Sequence, residues 1–266
     1  MAKEDIMSIL KSGGKVSKHI EQGSKLSLNG VQKLSESISN PNIAFHSGWK
    51  LSGTHLLFNR PPKERYSKLL QEKCDERSVK IAGFDLDDTL VKTKSGSKMP
   101  RGAYDWTWWR PKGSSDSKVL SKLLETHQKK FIIVIFTNQG GIIAQPTSKS
   151  YQNFINRVND IESKIKSYVK DEELEIQVFA APKRPAKPDK NIRSSSDELH
   201  KKARKPSVGM WDELERVISE YGYTCDRKNS IFIGDAAGRE GDFSDSDKEF
   251  ARNIGITFYT PEEYFS

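Results

Sequence analysis

The stretch FIIVIFTN at 131–138 constrains the fold more than any other part of the chain. Seven β-branched or aromatic residues in succession leave a strand with no face for water, so it belongs in a sheet covered on both sides. Comparable runs recur at VKIAGFDL (79–86), EIQVFAA (175–181) and SIFIGD (230–235). Between them the spacing changes to that of helices. Val119, Leu120, Leu123 and Leu124 form an apolar stripe within 116–130. Tyr151, Phe154, Ile155, Val158, Ile161, Ile165 and Tyr168 form another over 147–170. GMWDELERVISEYG (209–222) reads as a third helix, with Gly222 placed to end it. Strands alternating with helices predict an α/β fold, a doubly wound, mostly parallel sheet with helices on both faces. GTHLLFNR (53–60) is expected to be an edge strand, and GITFYTPEEYF (255–265) a short strand with a turn of helix.

The flanks differ in composition. Residues 1–45 are rich in Ser, Lys, Gly and Asn, which predicts a weakly ordered or helical extension of a domain spanning 46–266. PKRPAKPDKNIRSSSDELHKKAR, from Pro182, reads as a basic loop or insert near 182–203. No apolar run approaches the ~20 residues that cross a bilayer, and the N-terminal stretch has no sustained apolar core, so no membrane contact is expected. Two cysteines, Cys74 and Cys225, suit a reducing compartment. The net charge of +8 is uneven: the excess lies in 1–80 and 182–205, while 206–266 is acidic. That division suits a polyanionic partner beside an acidic metal pocket, or else a solvated basic surface.

In IAGFDLDDTLV (81–91) a core strand ends on Asp85, Asp87 and Asp88. Carboxylates this close repel, and burying them requires solvent or a cation as partner. In open α/β sheets, ligands bind beyond the carboxyl ends of the strands. One strand ends at Asp85, Asp87 and Thr89; another at Thr137, Asn138 and Gln139; Lys205 precedes a helix; a further strand ends at Gly234 and Asp235. These ends are expected to converge on one rim.

In this order the residues resemble the haloacid dehalogenase superfamily, whose phosphatases use Asp-x-Asp-x-Thr, then Thr or Ser, then Lys, then an acidic pair or Gly-Asp. More narrowly, FDLDDTLVKTKSG, FTNQGGI, RKPSVGMW, GDAAGR and DFSDSDKEFARNIGITFYTPEEYF resemble the phosphatase domain of polynucleotide kinase 3′-phosphatases, from about Gly48 onward. The resemblance implies Asp85 as the nucleophile that becomes an aspartyl-phosphate, and Asp87 as the acid that protonates the leaving oxygen and then serves as base. It further implies Thr137 and Lys205 on the phosphoryl group, and Mg²⁺ held by Asp85, the main-chain carbonyl of Asp87, and Asp235. Thr89, Asn138, Gln139 and Asp247 are expected to orient the phosphate, its loop or Lys205. The implied substrate is a DNA end bearing a 3′-phosphate, processed during strand-break repair, with other repair proteins as partners. A monomer in the nucleus is expected, the cytoplasm being a second option. The chain departs from the family pattern at Asp88, where many relatives carry Gly. It also has no G-x-x-x-x-G-K-[ST] stretch, which suits a phosphatase-only member without 5′-kinase activity.

For holding a strand, DWTWWRPKG (105–113) offers aromatic and cationic groups together. Three tryptophans in four positions cannot all face one way. Trp106 is expected to pack, while Trp108 and Trp109, beside Arg110, are candidates for stacking on a base. Arg184, Lys187, Lys201 and Lys202 are candidates for the sugar-phosphate backbone. His127 and His200 read as surface residues. Two rival readings remain open from sequence: a phosphatase of small phosphomonoesters, and a non-catalytic DNA-end-binding scaffold.

Overall fold

The computed structural model describes residues 49–169, 174–184 and 194–266. They belong to one unit, Phe45–Ser266; the extension expected over 1–45 lies outside the described residues. The elements run β1 (Lys50–Ser52), β2 (Leu56–Asn59), α1 (Lys63–Lys73), β3 (Ser78–Phe84), β4 (Val91–Lys92), β5 (Thr107–Trp108), α2 (Val119–Gln128), β6 (Phe131–Gln139), α3 (Lys149–Val169) and β7 (Ile176–Pro182). They continue through α4 (Asp197–Ala203), α5 (Gly209–Ser219), β8 (Thr224–Cys225), β9 (Ile231–Ile233), α6 (Ser246–Ile254), β10 (Thr257–Tyr259) and α7 (Pro261–Tyr264).

The main sheet has the order β1-β2-β7-β6-β3-β9-β10, with β8 alongside the start of β3. From β7 to β10 every pairing is parallel; β1 and β2 add to the β7 side as an antiparallel hairpin. β2 is therefore an interior strand, fully buried, and only β1 forms the edge that the sequence suggested for 53–60.

The pleat explains the continuous apolar runs. On β6, Ile133 and Ile135 face one core, with Val119 and Leu123 of α2 and Phe154, Val158, Ile161 and Ile165 of α3. Ile132, Val134 and Phe136 face the other, with Leu69 and Leu70 of α1, Met210, Trp211 and Leu214 of α5, and Phe250 of α6. At Gly83 of β3, a Cβ would lie 2.7 Å from the Phe232 ring and 3.2 Å from Phe136, so the absent side chain is what lets both rings close over the strand.

Three local expectations are corrected. α5 stops at Ser219 rather than at Gly222, which instead turns the chain toward β8 with φ of +77°. Tyr168, on the apolar stripe of α3 by spacing, is exposed near the end of that helix. The basic stretch is not loop throughout, since Pro182 closes β7 and Asp197–Ala203 forms α4. The Ser196 hydroxyl caps α4 by accepting the Leu199 N–H.

Candidate active site

β3 lies between β6 and β9, where the strand order reverses direction, and their carboxyl ends carry the acidic groups. Asp85 follows β3 and donates its backbone N–H to the Ile233 carbonyl of β9 at 2.8 Å. Asp235 comes two residues after β9 ends. The adjacent strands thus bring together carboxylates that are 150 positions apart in sequence. Asp247, in the first turn of α6, joins them: oxygens of Asp85, Asp235 and Asp247 lie within 4.8 Å of one another.

Lys205 neutralises part of this charge. Its buried ammonium is 2.6 Å from Asp85 and 2.6 Å from Asp247. Asn138 pins the lysine's backbone, donating to the Lys205 carbonyl and accepting the Lys205 N–H at 3.0 Å each. Asn138 is thereby engaged with the Lys205 loop. Asp247 also accepts the Ala236 N–H. A Cβ at Gly234 would meet Asp247 at 2.4 Å, so this approach requires glycine. Thr89, fully buried, donates its hydroxyl to Asp235 at 3.3 Å.

Asp87 faces a second set of groups. Arg157 of α3 grips both its oxygens, at 2.6 and 3.2 Å. Gln139 donates to the same carboxylate at 2.8 Å and to the buried Thr137 hydroxyl at 3.0 Å. The Asp87 side chain is therefore not part of the acidic cluster, which leaves its main chain for the expected metal role. Asp88 has φ of +59°, the left-handed region favoured by glycine, at the position where the sequence departs from the family pattern.

Burial is the largest cause raising the Asp85 carboxyl above the usual range; the Lys205 charge opposes it, while Asp247 and Asp235 add to it. Burial, then the charges of Asp247 and Asp88, push Asp235 up to about 7. Lys205 stays above its usual value: burial disfavours its charge, but Asp247 and Asp85 outweigh that. One ammonium balances at most one of three carboxylates, and the donors are all hard oxygen. Both features fit a divalent cation such as Mg²⁺.

The expected nucleic-acid residues fare differently. Trp109 is 2% exposed, packed against Phe265, with the Lys92 ammonium over its ring; it has no face for a base, which corrects that expectation. Trp108 is half-buried and meets Trp106 edge-on at 5.0 Å. Trp106 packs as expected and donates its indole N–H to Asp160. Arg110 is exposed and donates to the Ser115 carbonyl. Arg184 is ion-paired with Asp197, Lys201 and Lys202 are exposed, and Lys187 lies outside the described residues. The aromatics that do face solvent include Tyr104 and Phe243, the latter 83% exposed with the Lys98 ammonium 4.1 Å from its ring centre.

Both histidines read as surface residues are buried. His200 Nδ1 faces the Pro182 carbonyl, so it carries the proton, and Nε2 accepts from the Thr54 hydroxyl. His127 is tucked against Lys73. The sequence reading also missed Arg157. Its signal was an arginine on the apolar stripe Phe154, Val158, Ile161, a position that demands a buried anionic partner.

Residues 80–265 match the family model described as polynucleotide kinase 3 phosphatase. The bifunctional polynucleotide phosphatase/kinase of Schizosaccharomyces pombe is 35% identical over 201 residues, 76% of this chain and 40% of that protein. The polynucleotide 3′-phosphatase of Saccharomyces cerevisiae is 34% identical over 212 residues, 72% of this chain and 89% of that one. Among solved structures, a HAD-like phosphatase of Mesorhizobium loti superposes with a TM-score of 0.50 at 16% identity, covering 79% of this chain and 80% of the other. The fold is thus haloacid dehalogenase-like, and the chain belongs to the polynucleotide kinase 3 phosphatase family, a family of phosphatases.

Proposed function

We propose that this protein is a Mg²⁺-dependent DNA 3′-phosphatase acting in strand-break repair through an aspartyl-phosphate on Asp85. The observation that carries the reading is the Lys205 ammonium shared between Asp85 and Asp247, with Asp235 in the same cluster at the tips of two neighbouring strands. Asp85, Asp235 and the main-chain carbonyl of Asp87 would hold the metal. A bound divalent ion supplies the positive charge that lets a carboxylate approach a dianionic ester.

The remaining chemistry belongs to the chain. An Asp85 oxygen attacks phosphorus as the bond to the 3′-oxygen breaks, and Asp87 gives that oxygen its proton. Water then attacks phosphorus, loses a proton to Asp87, and frees Asp85 with release of phosphate. Lys205 steadies the charge on the phosphoryl oxygens, and Thr137 offers its hydroxyl. Asp247 holds Lys205 in place. The names of the curated relatives support the 3′-phosphorylated polynucleotide as substrate. The reading assigns the chain no kinase step and places its work in the nucleus.

The test compares oligonucleotides carrying 3′- or 5′-phosphate with a small phosphomonoester, with and without Mg²⁺. The reading expects metal-dependent preference for the 3′-phosphorylated strand, and loss of turnover with retained strand binding in Asp85→Asn. Equal turnover of the small ester would point to a general phosphomonoesterase instead, and binding without turnover to a scaffold.

A further inference from the structure

Arg157 lies in the middle of α3, facing inward, with its side chain 3% exposed, while the Asp87 carboxylate that it grips is 38% exposed. The asymmetry is informative. A buried guanidinium needs an anion, and this one reaches out of the core to a carboxylate at the rim. Two N–H groups meet two oxygens, the bidentate geometry that fixes a carboxylate in orientation as well as position. Gln139 adds a third donor and ties Asp87 to Thr137. Gln139 and Arg157 also line a cleft of about 130 Å³ with Met99, Pro100, Ile142 and Phe154, so both partners of Asp87 border open space beside it.

We infer that Arg157 is a positioning residue, holding Asp87 as the proton acceptor for the second half of the reaction. The inference rests on the phosphatase reading. In the first step the Asp85 oxygen–phosphorus bond forms, the bond to the 3′-oxygen breaks, and the Asp87 proton passes to the departing oxygen. Asp87 is then an anion. The guanidinium fork matches that anion, and so holds it where the attacking water must deliver its proton while the phosphorus–Asp85 bond breaks. Loss of the fork slows the second step more than the first.

The experiment uses an oligonucleotide with a radiolabelled 3′-phosphate and acid quenching, on wild type, Arg157→Gln and Arg157→Lys. Steady-state turnover of the Gln variant is expected to fall about 10- to 100-fold. First-turnover release of the dephosphorylated strand is expected to fall much less, leaving about one labelled phosphoryl group per active site on the protein. The Lys variant, which keeps the charge without the fork, is expected between the two, and its ratio of the two rates decides the matter if the Gln variant does not fold. Equal slowing of both phases, with no more protein-bound label than wild type, overturns the assignment alone. A wild-type protein that releases no phosphate from any ester overturns the phosphatase reading with it.

Discussion

Replacing Lys205 by methionine keeps the length of the side chain and deletes its charge. In the folded protein this strands Asp85 and Asp247, each 2.6 Å from the lost ammonium, beside Asp235. Breaking a buried ion pair by removing one partner costs about 3–5 kcal/mol, because the survivor remains desolvated without compensation. For a unit of this size that corresponds to a fall in Tm of roughly 6–20 °C. The penalty depends on pH with a definite sign. Asp85 and Asp235 already bind protons more tightly folded than unfolded, and without Lys205 that difference widens for Asp85. Groups raised in the folded state favour it at low pH and lose that contribution as pH rises through their folded values. The gap between variant and wild type is therefore wide at about pH 8 and narrow at about pH 5, as read by thermal denaturation followed by circular dichroism. Millimolar Mg²⁺ should recover part of the loss. Turnover should drop by about 10²–10³, as for loss of an electrostatic stabiliser of the reacting oxygens. A Lys205→Met protein melting within about 2 °C of wild type at about pH 8 would refute the argument that this ammonium compensates the cluster.

Burial and the neighbouring carboxylates push Asp235 up to about 7, so a Mg²⁺ held there as proposed would displace a proton; apparent affinity should then fall about tenfold from about pH 8 to about pH 6, with proton release seen by calorimetry in two buffers, and a flat profile contradicts this. Gly234→Ala drives a Cβ into Asp247 at 2.4 Å, and should cost about 1–3 kcal/mol in denaturant titrations and at least about tenfold in turnover; wild-type behaviour in both would count against it. Trp109→Ala should cost about 3–5 kcal/mol as a core truncation, whereas Phe243→Ala should shift stability by under about 0.5 kcal/mol; similar melting curves for the two would reverse the burial assignments.

The central strands were legible because a run such as 131–138 has one physical solution, burial on both faces. Once β3 and β9 were read as parallel strands of one sheet, Asp85 and Asp235 had to share its rim. Smaller elements were not legible. β4, β5 and β8 are two residues each, too short to carry a periodicity, and exist because Val91 and Trp108, or Val79 and Cys225, meet across the fold. α4 was hidden by a lysine-rich composition that suggested loop, although Ser196 and the acids Asp197 and Glu198 form a good helix start. Trp109 went wrong for another reason: spacing showed that three tryptophans must diverge, without showing which one turns inward. Asn138 and Gln139 were read as orienting the phosphate or its loop, without a partner named for either. Their amides prove to serve the backbone of Lys205 and the carboxylate of Asp87, partners that only the tertiary arrangement supplies.

The position of β3 has a consequence for how the protein breathes. Hydrogen-bonded to β6 on one side and β9 on the other, it can exchange its amide protons with solvent only when the whole sheet comes apart. β1 and β10, each with a single neighbour, are free to fray at much lower cost. Deuterium should therefore enter the two margins of the sheet long before it reaches the residues leading into Asp85, so that peripheral loosening leaves the footing of that carboxylate intact.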